Sequence, residues 1–389
     1  MKKKIFYWSP CLNPVGTVKS TLNSALSLAQ YGRNDFDVTV INAFGEWDQY
    51  LELFEKNNVK VINFKIKFYK FLPKVGYIQS RFSYFIIYFF CFIPLLRLIK
   101  TSKPDYLIAH LITSLPFTIM SLFNLSTKYI LRISGMPKLN FLRKNFWKLV
   151  SKNIFLITCP TQALKSKLIK LNLFDQDKIK FLPDAILDIK ENKKQSTKVI
   201  DDFKKFKNKK LIIAAGRLTK QKNFSYLLDE FSSFSKKDNQ FILLILGEGE
   251  ERKNLEKKIL ENGIKNKAFL LGNVDNVSSY FIKSEIFVLS SLWEDPGFVM
   301  MEAAINNLYV IASDCPNGPV EFLNNGKNGI LFPSNTKDKL YSSLLEFNKL
   351  TERKKFIDKC ELKKNSKKYT KFRHFTELNK ILMSDIYIK

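Results

Sequence analysis

Two glutamates eight positions apart, Glu294 and Glu302, frame the stretch of this chain with the most chemistry in it. Asp295-Pro296-Gly297-Phe298 follows the first directly, and the short apolar run from Ile286 to Ser291 before it reads as a buried strand. Val299 to Asn307 has the composition of a helix, with Pro296 and Gly297 punctuating its start. A strand, a glycine turn and a helix N-terminus together offer free N–H groups and a positive dipole end to an anion. Glu294 then lies in the turn. Glu302 lies one to two turns into the helix, leaning back toward its mouth. A phosphate held at the turn leaves two carboxylates to accept hydrogen bonds from hydroxyls, which suits a sugar nucleotide. Such a spacing also occurs on ordinary solvated helix faces, so the reading needs support from elsewhere in the chain.

Support comes from upstream and downstream. Gly216 to Asn223, GRLTKQKN, places a glycine, Arg217 and Lys222 directly after an apolar run. Gly216 lets a ligand approach the backbone, and each of the two cations can neutralise a diphosphate oxygen. GEGEE, with Gly247 and Gly249, precedes a charged helical stretch and could line a nucleotide, although a lone G-x-G is weak. Asp314 to Pro333 is dense in Gly, Pro and Asn, as a loop shaped around a ligand is.

The elements that must hold these residues alternate along the chain. Strands are expected at 2–10, 36–44, 59–64, 104–111, 127–135, 154–161 and 178–185, with helical segments between. The first of those helices, after a loop containing Gly16, carries Leu22, Leu26 and Ala29 on one face and stops at Gly32. The polar stretch 186–198 has no apolar period and reads as a linker. A second series begins at Lys209, with strands at 209–217, 240–246, 267–274, 286–291 and 308–314, and after 329–333 the chain turns helical and lysine-rich. Alternation of this kind predicts α/β architecture with parallel sheets, whose ligands bind at the carboxyl ends of the strands. Gly16, His110 and Arg132 with Ser134-Gly135 fall at such ends. At 389 residues two domains are expected: 1–190, 191–365, and a C-terminal helix over 366–389.

Charge narrows the partners. The chain has 64 Lys and Arg against 36 Asp and Glu, a formal +28, which implies an anionic partner or surface. Between Lys56 and Phe174 the only carboxylate is Asp105. Basic residues alternate with aromatics from Phe64 to Phe82, and the greasy run Phe82–Lys100 follows. Its unbroken apolar part, about fifteen residues, is shorter than the roughly twenty needed to cross a bilayer. It reads as a membrane-surface or core element, and the pattern suits a protein lying on anionic lipid, at about 1 kcal/mol per surface cation. Nucleic acid competes as an explanation of the charge, but no helix-turn-helix, finger or RNA-recognition signature is present. A compositional bias toward Lys, Phe, Ile and Asn is the bland alternative. The five cysteines are scattered and unpaired by spacing, which argues for a reducing compartment. The start of the chain is too short in apolar residues for a signal peptide.

The ordered set GRLTKQKN, LGEGEE, GNV, the glutamate pair around DPGF, SDCPNGPVEFL and NGILFP resembles the family 4 retaining glycosyltransferases of GT-B fold. The resemblance covers Lys209 to Pro333. It is looser before that, in the Gly16 loop, KPDYLIAH and RISGMPK. A single Gly16 stands where the family has a glycine pair, and LPDAILD stands where it has Asn-Gly. The resemblance implies two Rossmann-like domains facing a central cleft, with the last helix crossing back to the first. It implies that Arg217 and Lys222 hold the donor diphosphate, and that Glu302 accepts from the ribose. Glu294 would contact the donor sugar, and the backbone of Gly297, Phe298 and Val299 would meet sugar hydroxyls and phosphate. Gly272, Asn273 and Val274 would lie near the base, while His110 would approach the sugar from the first domain. No metal and no cofactor beyond the UDP-sugar substrate are implied, and no Asp-x-Asp motif is present. His374 reads as structural or solvated. The expectation is a hexosyl- or N-acetylhexosaminyltransferase acting on a lipid-linked saccharide of O-antigen, capsule or lipopolysaccharide. It would be cytoplasmic, on the inner face of the plasma membrane, with no nucleic-acid partner. A sugar-nucleotide epimerase and a polyanion-binding protein are the alternatives.

Overall fold

The computed structural model describes all residues except 12–15, 65, 67–76, 137–138, 197–202, 204–205, 207 and 384–389. Most of the basic, aromatic stretch before Tyr77 lies outside the described residues. The chain divides into two compact units, Met1–Ile186 with the segment from Tyr369 onward, and Leu187–Lys368.

The first domain is a seven-stranded parallel sheet. Its strands are β1 (Lys3–Trp8), β2 (Phe36–Asn42), β3 (Lys60–Asn63), β4 (Tyr106–Ala109), β5 (Lys128–Arg132), β6 (Leu156–Cys159) and β7 (Ile179–Phe181). They lie in the order β3-β2-β1-β4-β5-β6-β7. The order reverses between β1 and β4, which pair from Ile5 with Tyr106 to Trp8 with Ala109. Loops leaving those two strands therefore diverge, and the crevice that opens there is where such sheets take ligands. On one face lie α1 (Gly16–Tyr31) and, 340 residues later, α15 (Lys371–Met383). Leu22, Leu26 and Ala29 of α1 are all buried, as their spacing predicts, in a core that also takes Leu378 and Leu382 of α15. Lys3 Nζ and Tyr106 Oη both donate to the Leu382 carbonyl, at 2.6 and 3.0 Å.

On the other face lie α3 (Tyr77–Ser102), α4 (Ser114–Leu122) and α5 (Phe141–Val150). Helix α3 corrects the length expected from the sequence. It runs for 26 residues through Pro94, and the 20 residues from Ser83 are long and apolar enough to cross a membrane. The fifteen-residue estimate, which already included Pro94, stopped at the first charge, Arg97, but a helix continues past a charge when its neighbours hold it. Ile87, Cys91, Leu95 and Ile99, spaced four apart, are at most 1% exposed and belong to the sheet core. The opposite face, with Phe85, Phe89, Phe90 and Ile93, is exposed. The helix is therefore a core element on one side and an apolar surface on the other.

The second domain has six parallel strands, β8 (Lys210–Ala215), β9 (Phe241–Leu246), β10 (Ala268–Gly272), β11 (Ile286–Leu289), β12 (Tyr309–Ser313) and β13 (Ile330–Phe332). Their order, β10-β9-β8-β11-β12-β13, reverses between β8 and β11. All six residues of β9 are buried, as the continuous run FILLIL requires of a strand covered on both faces. The stretch expected to be a linker is not one throughout. Ile189–Ser196 forms helix α7, and Asn192 fixes it to the second domain by hydrogen bonds with Ser278 at 2.7 Å and Asn306 at 3.0 and 3.1 Å. Polar residues without an apolar period still form a short helix when side-chain amides dock it.

Candidate active site

In the second domain the loops after β8, β9 and β11, three adjacent strands, carry the expected site residues. The loop after β8 turns at Gly216 and reaches Lys222 in a 3-10 turn. The loop after β11 holds Glu294 and passes through Gly297, whose φ of +90° favours glycine, into helix α11 (Phe298–Ile305). The two loops are stitched together: Leu292 N donates to Gln221 O at 2.8 Å, Gln221 Nε2 to Trp293 O at 2.8 Å, and Ser290 Oγ to Lys222 O at 2.8 Å.

At the centre of this seam Lys222 Nζ donates to Glu294 Oε1 at 2.6 Å, and Ser291 Oγ donates to the same oxygen at 2.5 Å. Glu294 is 4% exposed. A carboxylate so buried is costly unless paired and hydrogen-bonded, and here it is both. The ammonium has three N–H donors and the ion pair occupies one. Arg217 is exposed, and no carboxylate pairs with it among the described residues. Glu302 is half-buried one turn into α11. Phe298 and Val299 are half-buried at the start of the same helix, where the first N–H groups have no intrahelical acceptor. Asn273 is exposed and Val274 half-buried just beyond β10. The structure thus brings Lys222 and Glu294 into contact, with Gly297 beside them; Asn273 and Val274 follow a strand two places further along the sheet.

The glycines have a reason that the motif alone does not reveal. A Cβ on Gly247, at φ +132°, would meet the Gly216 carbonyl oxygen at 2.0 Å, and one on Gly249 would meet the Leu218 carbonyl oxygen at 2.3 Å. Backbone packed on backbone already requires them, with or without a ligand. The loop 314–318 closes on the glutamate turn in the same way: Glu294 N donates to Pro316 O at 3.2 Å, and Asn317 Nδ2 to Asp295 Oδ1 at 3.1 Å.

His110 lies in the first domain, just after β4, 6% exposed. Its Nδ1 is 2.6 Å from Thr21 Oγ1, and its Nε2 meets Ser134 Oγ. Burial, and then the charge of Arg132, pushes it down to about 3, so the ring is neutral. Gly16 begins α1 and is exposed; the residues before it are not described. Sequence reasoning missed what surrounds His110. Arg132 pairs with buried Asp184, which also accepts from Ser20 Oγ. His374 of α15 donates from Nδ1 to the Pro183 carbonyl at 2.6 Å, because a carbonyl can only accept, and its Nε2 accepts from Ser24 at 2.7 Å. Ser24 in turn meets Tyr7 Oη at 2.9 Å. The departure LPDAILD was the available signal, since Asp184 sits inside it. Ser291, the second donor to Glu294, was visible only as part of a strand end. Among the described residues no group of three or more His, Cys, Asp or Glu could hold a metal ion.

This architecture, two Rossmann-like parallel-sheet domains, is the GT-B fold. A solved structure from Anabaena, Alr3699/HepE in complex with UDP, superposes with a TM-score of 0.73 over 99% of this chain and 100% of its own, at 15% identity. Residues 195–368, most of the second domain, match the sequence model of the family described as glycosyl transferases group 1. An uncharacterised glycosyltransferase of Haemophilus influenzae is 26% identical over 344 residues, 88% of this chain and 90% of the relative. Another of Methanocaldococcus jannaschii, MJ1059, is 29% identical over 59% of this chain, an alignment that spans 60% of the relative. A third relative, from Campylobacter jejuni, is an N-acetylgalactosamine-N,N'-diacetylbacillosaminyl-diphospho-undecaprenol 4-alpha-N-acetylgalactosaminyltransferase. It is 27% identical over 64% of this chain and 71% of its own length.

Proposed function

We propose that the protein is a retaining, metal-independent glycosyltransferase that moves a hexose or N-acetylhexosamine from a UDP-sugar to a lipid-linked saccharide in surface-polysaccharide synthesis. The observation that carries this reading is the Lys222–Glu294 pair seated beside the open N-terminus of α11. Lys222 has donors to spare for a donor diphosphate, and Arg217 supplies a second cation from the same loop. Glu294 fixes the ammonium and presents its other oxygen to the donor sugar, while Glu302 accepts from the ribose hydroxyls. Gly216, Gly247, Gly249, Asn273 and Val274 line the nucleotide.

In the reaction the bond from the anomeric carbon to the diphosphate oxygen breaks, and the electron pair leaves with the nucleoside diphosphate. Arg217 and Lys222 lie where that charge grows, and fixed cations of this kind can replace a divalent ion. The acceptor hydroxyl attacks from the face the diphosphate leaves, and its proton passes to a departing phosphate oxygen. His110, neutral and held at both nitrogens, would contribute a hydrogen bond and no charge. The UDP complex of the Anabaena neighbour supports the choice of donor, and the diphospho-undecaprenol substrate of the Campylobacter relative supports the choice of acceptor. The exposed aromatic face of α3 would rest on the anionic inner leaflet. Its other face is committed to the domain core, which favours lying on the membrane over crossing it.

Calorimetry with UDP and GDP in EDTA, on the wild type and Glu302→Gln, tests the donor side. UDP binding that exceeds GDP binding and weakens about tenfold or more in the variant is expected, since a charge-assisted hydroxyl–carboxylate hydrogen bond becomes a neutral one. Failure of both nucleotides to bind would overturn the reading.

A further inference from the structure

The first domain contains a cavity of about 650 Å³ that reaches His110 at its floor and whose walls have no part in the donor site described above. Ligand pockets occupy roughly 300–1,000 Å³. It lies at the carboxyl ends of β4 and β5, beside the strand crossover, and its two ends differ in chemistry. His110, Arg132 and Ser134 form a polar floor, with Thr113 and Ser114 from the start of α4. Tyr84 of α3 and Leu142, Phe146 and Trp147 of α5 form an apolar wall, which Arg143 interrupts. No Asp or Glu lines it. The buried Arg132 guanidinium leaves its Nε without a partner.

Beyond the wall the apolar surface continues outward. Leu142 and Phe141 are more than three-quarters exposed on α5, and Phe85 and Phe89 beside Tyr84 are more than half exposed on α3. A pocket with cations and hydroxyls at one end, and an aromatic wall running out to exposed phenylalanines at the other, fits an amphipathic anion.

We propose that this cavity binds the lipid-proximal end of the acceptor. Arg143 holds its phosphate, and Tyr84, Leu142, Phe146 and Trp147 hold the first units of its hydrocarbon chain, which leaves the pocket along the exposed faces of α3 and α5. The proposal rests on the transferase reading only for the word acceptor; the ligand class, a phosphorylated lipid, follows from the lining. It makes Arg143 and Leu142 specificity-determining residues, with a lipid anchor and a charge recognised by adjacent positions of one helix.

Titration of the full-length protein with farnesyl diphosphate, farnesol and inorganic pyrophosphate tests this, with calorimetry as the readout. Farnesyl diphosphate should bind at least about tenfold tighter than either fragment, because Arg143 and the apolar wall are then engaged at once. Arg143→Gln should weaken farnesyl diphosphate about tenfold while leaving farnesol within about twofold, since only the charge-assisted contact is lost. Leu142→Glu should weaken both. Equal binding of farnesyl diphosphate and pyrophosphate, or an unchanged Arg143→Gln, would overturn the proposal. So would displacement of farnesyl diphosphate by an equal concentration of a short-chain phosphatidylglycerol, which would make the cavity a bulk-lipid site. UDP titrated into the same wild-type sample separates the two readings: UDP binding without farnesyl diphosphate binding sinks the pocket alone, and the reverse sinks the donor assignment alone.

Discussion

Lys222 and Glu294 hold one another in a nearly dry seam, so replacing either leaves its partner a buried charge without its counter-ion. Glu294→Gln keeps the shape and the Ser291 contact but removes the charge that fixes the ammonium. We expect kcat/KM for the UDP-sugar to fall about 100-fold or more, the usual scale for losing an electrostatic contact to a developing charge. Arg217→Ala should cause a similar loss without lowering thermal stability, because that side chain is exposed and pairs with no carboxylate among the described residues. Steady-state transfer assays and melting curves on both variants check the contrast; equal losses of stability would mean that Arg217 is structural. Gly247→Ala is predicted to behave oppositely. Its Cβ would meet the Gly216 carbonyl, so stability should fall by a few kcal/mol, read as a lowered midpoint in urea, before any ligand is involved.

Among the elements, the central strands were legible in the sequence because each is a short apolar run buried on both faces, FILLIL most plainly. What could not be read was where polar or mixed segments go. Helix α7 has no apolar period, and the Asn192 contacts with Ser278 and Asn306 tie it to the second domain. The inner face of α3 was invisible because both faces are greasy, so periodicity carried no signal. Asp184 and His374, distant in sequence, meet around Arg132 and Pro183 only once the sheet and α15 are assembled. That buried network has a pH signature. His110 and His374 are held at about 3 and about 4, burial being the first cause and the Arg132 charge the second, against about 6.5 in an unfolded chain. The unfolded state therefore takes up more protons between those values and 6.5, so this contribution is complete above pH 6.5 and is lost on acidification. Glu46, which burial raises to about 7, acts in the opposite sense between about 4.5 and 7. Two histidines outweigh one glutamate across most of that window. The melting temperature should drop from pH 7 to pH 5, and His374→Gln, which can keep both hydrogen bonds, should show a shallower drop despite a lower starting value. A melting temperature that rises over that range in the wild type would contradict the assignment.

For the molecule as a whole, the formal charge of +28 and the phenylalanines exposed on α3 act together if the surface is a lipid one. Flotation with anionic vesicles should recover the protein at low salt. Phe85→Ser with Phe89→Ser should reduce binding about tenfold or more without altering the fold, since neither ring contributes to the core and each loses apolar burial in lipid. Recovery unaffected by the double change would assign the attraction to charge alone. The placement of α15 has a different consequence, concerning the order in which a ribosome delivers the parts. The first domain lacks Leu378, Leu382 and His374 until residues 371–383 have been made, whereas everything in Leu187–Lys368 is already available by then. Domains usually complete themselves in the order of synthesis. Here the second can finish while the first still waits with the α1 side of its sheet only partly covered, so a chain truncated after residue 368 should present a protease-resistant second domain attached to a digestible first one.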